Sequence, residues 1–233
     1  MITNTKHISM SALYALAASL TAVSLLFVGF FLAEPVISHG QEVFTIQQTI
    51  TDETSFLVIP TDVSMAGSIN GVTGGNATGT TQFVIQSNNS AGYVVNIGFT
   101  DDNADGEMME GDADDSGAIR DYDNTGEPDY SYSASTSAQF AYTVTSSTTG
   151  DTDQSFLTNG SNACNTPAGA DAGTTHCWKA PDTSTFDIVN RSTAANSGAT
   201  TTVQFNVNVP GGATPVPTAQ TYTATATLTL IAN

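Results

Sequence analysis

Residues 200–210 read TTTVQFNVNVP, and within them Val203, Phe205, Val207 and Val209 alternate with Gln204, Asn206 and Asn208. Side chains along an extended strand point to opposite faces in turn, so this spacing predicts a strand with one apolar and one polar face. The closing stretch, residues 220–233 (QTYTATATLTLIAN), repeats the pattern: Tyr222, Ala224, Ala226, Leu228 and Leu230 alternate with threonines. Between the two lies GGATPVPTA, residues 211–219, whose glycines and prolines predict a turn-rich connection.

Working outward, further strands are expected at VFTIQQTI (43–50), SFLVIP (55–60), TTQFVIQS (80–87), GYVVNIGF (92–99), AQFAYTVTS (138–146) and STFDIVN (184–190). Clusters of Gly, Asn, Asp and Pro separate them, and no helical period occurs after residue 40. One polar and one apolar face per strand is what an antiparallel sheet packed on one side produces, and two such sheets make a sandwich. The expected fold is all-β, an antiparallel β-sandwich of the immunoglobulin-like or jelly-roll kind, preceded by one N-terminal hydrophobic helix.

That helix is read from residues 8–33, ISMSALYALAASLTAVSLLFVGFFLA, a run of 26 residues without a charge. As a helix it would extend about 39 Å, enough to cross a bilayer. An uncleaved anchor and a long signal peptide both fit, and Lys6 on the short leading side predicts that everything after Ala33 is exported. Residues 29–34, GFFLAE, match the glycine, phenylalanine and glutamate of a type IV prepilin cleavage site. In that family the apolar helix follows the glycine, whereas here it precedes it. Residues 1–40 are thus read as anchor or signal peptide and 41–233 as the sandwich, with an acidic insertion at 100–129 and a disulfide loop at 160–182.

The disulfide is expected between Cys164 and Cys177, the only two cysteines, in a loop rich in Gly, Thr and Ala. The rival reading is a zinc site with His176, which lacks a fourth ligand at the usual spacing.

The chain has 233 residues, 22 acidic and 4 basic, for a formal charge of −18. Twelve of the 22 carboxylates fall between Asp101 and Asp129, so the excess has a local cause. So few cations leave no basic patch for a phosphate backbone, which excludes nucleic acid as a partner. Within DDNADGEMMEGDADDSGAIRDYD, residues 101–123, the spacing of a calcium loop occurs twice: oxygen ligands at positions 1, 3, 5, 7 and 12, glycine at 6 and an apolar residue at 8. The first set is Asp101, Asn103, Asp105, the Glu107 carbonyl and Asp112, around Gly106 and Met108. The second is Asp112, Asp114, Ser116, the Ala118 carbonyl and Asp123, around Gly117 and Ile119, with Asp112 shared as a bridge between two ions. The rival is a bare, solvated acidic loop. Like-charge repulsion among so many carboxylates favours a bound divalent ion, Ca²⁺, because the single Arg120 cannot neutralise them.

The flanks are not helical, so these are not paired-helix EF-hands; with Asp at the last position they resemble the calcium loops of dockerins and thrombospondin type 3 repeats. Residues 58–97 (VIPTDVSMAGSINGVTGGNATGTTQFVIQSNNSAGYVVNI) and 203–233 (VQFNVNVPGGATPVPTAQTYTATATLTLIAN) resemble secreted surface domains of the WxL-like and pilus-subunit-like kind. Those end in a Gly/Pro turn, a Tyr-Thr start and a threonine-alternating terminal strand. The resemblance implies an exported β-sandwich of the cell surface.

No Gly-x-Ser-x-Gly elbow, His-Glu-x-x-His helix or phosphate-cradling loop occurs, and the histidines at 7, 39 and 176 are scattered. Asp129 with Tyr130 and Tyr132 is the nearest approach to a sugar cleft, and plain strand packing is the competing reading of those tyrosines. The chain is therefore read as a non-enzyme: a calcium-stabilised structural or adhesive protein of the cell surface, held at the membrane by its N-terminal helix, with itself as fibre partner or a surface glycan or protein as ligand. The alternative is a secreted carbohydrate-binding or hydrolase-accessory module.

Overall fold

In the computed structural model, which describes residues 9–11, 14–22, 45–113, 117–123 and 128–233, the alternating stretch lies in a 15-residue strand, β11 (Ala195–Val209). Val203, Val207 and Val209 are buried and Phe205 is partly so, as the alternation requires. β11 pairs antiparallel with β3 (Gly74–Ser87) on one side and β7 (Ala138–Ser146) on the other. β1 (Thr54–Val58) and β2 (Ile69–Asn70) cover the far edge of β3, and β6 (Ile119–Asp121) runs parallel to β7, making a mixed six-stranded sheet.

A second sheet of three antiparallel strands has the order β10 (Phe186–Arg191), β4 (Tyr93–Thr100), β13 (Thr225–Ala232). Two short ribbons join β5 (Glu110–Gly111) to β12 (Tyr222–Thr223) and β8 (Leu157–Thr158) to β9 (Ala170–Asp171). Both sheets contribute to one core, with Phe83 and Ile85 from β3, Val95 and Ile97 from β4, Val144 from β7 and Ile188 from β10 all buried in it. Phe99 of β4 meets Phe140 and Tyr142 of β7 at 6.0 and 5.5 Å between ring centres. Ring pairs of this kind each contribute about 0.5–1.5 kcal/mol beyond the area they bury.

The fold is all-β, as the alternation predicts, and it departs from expectation at one expected strand. Residues 45–50, the greater part of the strand expected at 43–50, form no strand, and Ile46 and Ile50 are 86% and 82% exposed. Alternation is stabilising only where a sheet edge and an apolar surface receive it. Residues 43 and 44 lie outside the described residues. Of the spanning helix expected at 8–33, residues 14–22 are helical and exposed, and residues 8, 12–13 and 23–33 lie outside the described residues. Among the described residues no helix is long and apolar enough to cross a membrane. The chain divides into Met1–Thr49 and a β unit, Ile50–Asn233.

Candidate metal centre in the acidic loop

The acidic loop leaves β4 at Thr100 and returns to the larger sheet at β6, and its apolar residues tie it down on the way. Met108 and Met109 are 4% and 6% exposed within the core, and Ile119 is buried beside them. The polar residues between these anchors coil around Asp101. Asp101 Oδ1 accepts the Ala104 amide at 2.7 Å and Oδ2 the Gly106 amide at 3.1 Å. Asn103 Oδ1 accepts the Asp105 amide at 2.8 Å, and Asp105 Oδ1 accepts the Glu107 amide at 2.9 Å. So tight a coil needs left-handed backbone: Gly106 sits at φ +93°, which explains the glycine at position 6.

One oxygen from each of Asp101, Asp105 and Glu110 lies within 4.8 Å of the others. Asp101 and Glu110 are partly buried and Asp105 is exposed. A carboxylate oxygen keeps a second lone pair after accepting an amide, so the hydrogen bonds that shape the loop still leave it able to bind a hard divalent cation. Glu110 is brought in by β5, whose pairing with β12 fixes Glu110 opposite Thr223 and Gly111 opposite Tyr222. Its Oε2 also accepts from Asn103 Nδ2 at 3.2 Å, which puts Asn103 against the cluster through its amide nitrogen.

Of the first expected ligand set, then, the fold gathers Asp101 and Asp105, and it sets Glu110 beside them. Asp112 is exposed, stands outside the cluster, and gives its amide to the Thr221 carbonyl at 3.0 Å as a continuation of the β5–β12 ribbon. Glu107, expected to serve through its carbonyl, accepts the Asp121 amide with its side chain at Oε2. In return Asp121 Oδ1 accepts the Met108 amide at 3.0 Å. Of the second set, Asp114 and Ser116 lie outside the described residues, Ala118 is buried, and Asp123 is exposed. Gly117 packs on the first loop: a Cβ there would stand 3.1 Å from Asp105 Oδ2.

Burial perturbs the two acids that close the loop's base. Desolvation raises Asp121 to about 7, opposed by the Met108 amide and assisted by the charge of Glu107. Glu107 is raised for the same first reason, with the Asp121 amide pulling the other way. Sequence spacing missed both Glu110 and Asp121 because a loop template counts positions and ignores the sheet that receives the loop. The available signal was Met109-Glu110-Gly111, where a strand-like step buries Met109 and turns Glu110 back toward Asp101.

The second insertion is closed covalently. Cys164 and Cys177 are joined, with Cα atoms 5.6 Å apart, which removes both thiols from any zinc site. His176 stacks on Tyr130 with ring centres 4.0 Å apart. Tyr132 packs against Tyr122 and Trp178 and donates its hydroxyl to the Gln139 carbonyl, and Tyr122 donates to Asp129 Oδ2 at 2.8 Å. Of the residues weighed for a sugar cleft, Tyr132 packs into a small second cluster with Tyr122, Ala141 and Trp178. Burial raises the Tyr132 hydroxyl well above its ordinary range, as befits a packing residue.

No protein-family model matches this chain, and no curated protein matches it either.

Proposed function

We propose that this chain is an exported structural or adhesive protein of the cell surface, an immunoglobulin-like or jelly-roll β-sandwich whose acidic loop takes up calcium, and that it works by assembling with other molecules along a sheet edge. The observation that carries this reading is β13. It is eight residues long, TATLTLIA, ends its sheet, and pairs only with β4 among the described residues. Proteins that must stay single blunt such edges with lysine, proline, a bulge or a covering loop. β13 has no charge and no proline, and its register with β4 is unbroken. The joined cysteines support export, since such pairs persist in oxidising compartments. Calcium is supported by the three clustered carboxylates and by the excess of acid around them.

A carbohydrate-binding module needs aromatic rings facing solvent, and every Phe, Tyr and Trp described beyond residue 50 is buried or partly buried. Electron microscopy and fractionation of cells with and without the gene test the proposal: the account expects surface material that disappears with the gene. Cytosolic protein with two alkylatable thiols would refute export, and purified protein that stays monomeric at high concentration would refute assembly.

A further inference from the structure

Two parts of the molecule are each incomplete in a way the other would repair. The first is the three-stranded sheet. The inward residues of β4, Tyr93, Val95, Ile97 and Phe99, are at most 6% exposed. In β13, Ala226 lies opposite Phe99, Leu228 opposite Ile97 and Leu230 opposite Val95, so these face the same way. Yet Ala226 is exposed and the two leucines are only partly buried. Beside them opens a cleft of about 1640 Å³, floored by Ile97, Phe140, Val203 and Val207 and bordered by Met65 and Leu228. A small-molecule pocket occupies roughly 300–1,000 Å³, so this one has room for an extended peptide. Among the described residues, Asp62 is the only charged one on its lining.

The second part is residues 45–51, TIQQTIT. The sequence has the period of a strand, with Ile46, Gln48 and Ile50 on one side and Thr45, Gln47, Thr49 and Thr51 on the other, and it carries no charge. The structure leaves it unpaired and its isoleucines in solvent. At about 3.3 Å per residue it reaches about 23 Å, close to the length of β13.

We propose that the cleft beside β13 receives residues 45–51 of a second copy of this chain, laid down as an added strand on the free edge of β13 with Ile46 and Ile50 turned into the apolar floor. The inference rests on the reading of the protein as an assembling subunit and names its partner. The neighbour's segment fits better than the chain's own. Asn88 binds the Glu53 amide at 2.6 Å, the Glu53 carbonyl at 3.1 Å and the Thr51 carbonyl at 3.0 Å, holding these residues in line with β1. The adjacent Asn89 binds the Asn233 carbonyl at 2.8 Å, so the segment enters where β13 finishes. The cleft instead lies along the first half of β13, at Thr225, Ala226 and Leu228. Folding back would break the Asn88 contacts, whereas donation to a neighbour leaves them intact. Strand addition of this kind takes affinity from main-chain hydrogen bonds and register from alternate side chains. Because donor and acceptor are different surfaces, repetition is head-to-tail, closing into a ring where the rotation allows and otherwise running on as an open chain of subunits.

The test uses full-length protein. Ile46→Asp/Ile50→Asp changes only exposed side chains, so the variant should melt like the wild type while its assemblies in sedimentation are lost. A synthetic peptide of residues 43–53 should then bind this monomeric variant saturably, and a scrambled peptide should not; Ala226→Arg in the cleft should weaken the peptide at least tenfold. Mixing Ile46→Cys with Ala226→Cys chains under mild oxidation should yield linked dimers. Wild-type-like assembly of the Ile46→Asp/Ile50→Asp variant would overturn the inference while leaving the assembling-subunit reading intact. Cross-linking of a doubly substituted Ile46→Cys/Ala226→Cys chain only within itself would do the same. A wild type that never assembles would overturn both.

Discussion

The acidic loop and the disulfide loop are both long insertions that fold back on the β unit, and they are held by opposite means. Residues 160–182 are closed by a bond between Cys164 and Cys177 and pinned by Trp178, which is 3% exposed and exchanges backbone hydrogen bonds with Asp129 at 2.8 and 3.0 Å. Residues 101–123 are closed by carboxylates that accept backbone amides, and those carboxylates repel one another. The first loop keeps its shape in any oxidising solvent. The second carries the like charges, so its order is expected to respond to cation and pH.

The largest test of this contrast is to open the covalent loop. A loop with a cysteine separation of 13 residues is worth about 3 kcal/mol in the chain-entropy model, so Cys164→Ser/Cys177→Ser should lower the melting temperature by roughly 6–12 °C for a domain of this size. The drop should be the same with calcium or with chelator. A drop that calcium cancels would mean that the two loops are coupled.

Chelation should have the next largest effect, confined to the other loop. Calcium at a hundredfold excess over its dissociation constant adds about 2.7 kcal/mol, and removing it should expose residues 101–123 to proteases while residues 160–182 stay resistant. Cleavage of both loops at equal rates, read by mass spectrometry of the fragments, would erase the distinction.

A smaller effect concerns pH in calcium-free buffer. Burial holds Asp121 up at about 7 against an ordinary 3.8. Between those values the folded protein keeps a proton that the unfolded chain has released, so stability should fall as pH rises from about 4 to 7 and then level off. Asp121→Asn keeps an oxygen to accept the Met108 amide and should flatten this slope by removing the titration. An unchanged slope in melting scans of the variant would assign the pH dependence to other acids.

How far the sequence discloses the molecule follows the same division between apolar pattern and polar closure. β7 begins and ends where AQFAYTVTS predicts, because Phe140, Tyr142 and Val144 each face one core. The short strands β2, β5, β6, β8 and β9 carry no legible period, since two or three residues cannot show one. The back of the larger sheet was also hidden. Thr143 and Asn206 are buried polar residues there, and the Tyr122–Trp178 cluster lies against Ala141, a cover that alternation cannot announce. In the acidic loop, the Asp-x-Asn-x-Asp-Gly spacing located the coil around Asp101 but not the carboxylate that the fold sets beside Asp101 and Asp105. The template counts to Asp112, whereas the β5–β12 pairing presents Glu110.

The central claim is that a divalent cation is held by Asp101, Asp105 and Glu110, and titration calorimetry with calcium tests it most directly. The wild type should bind with a dissociation constant of about 10⁻⁴ to 10⁻³ M, the range of extracellular modules. Glu110→Gln should weaken binding at least about tenfold, the equivalent of about 1.4 kcal/mol, and Asp112→Asn should leave it within about a factor of two. No heat from the wild type with millimolar calcium, or an Asp112→Asn variant more damaged than Glu110→Gln, would contradict the account.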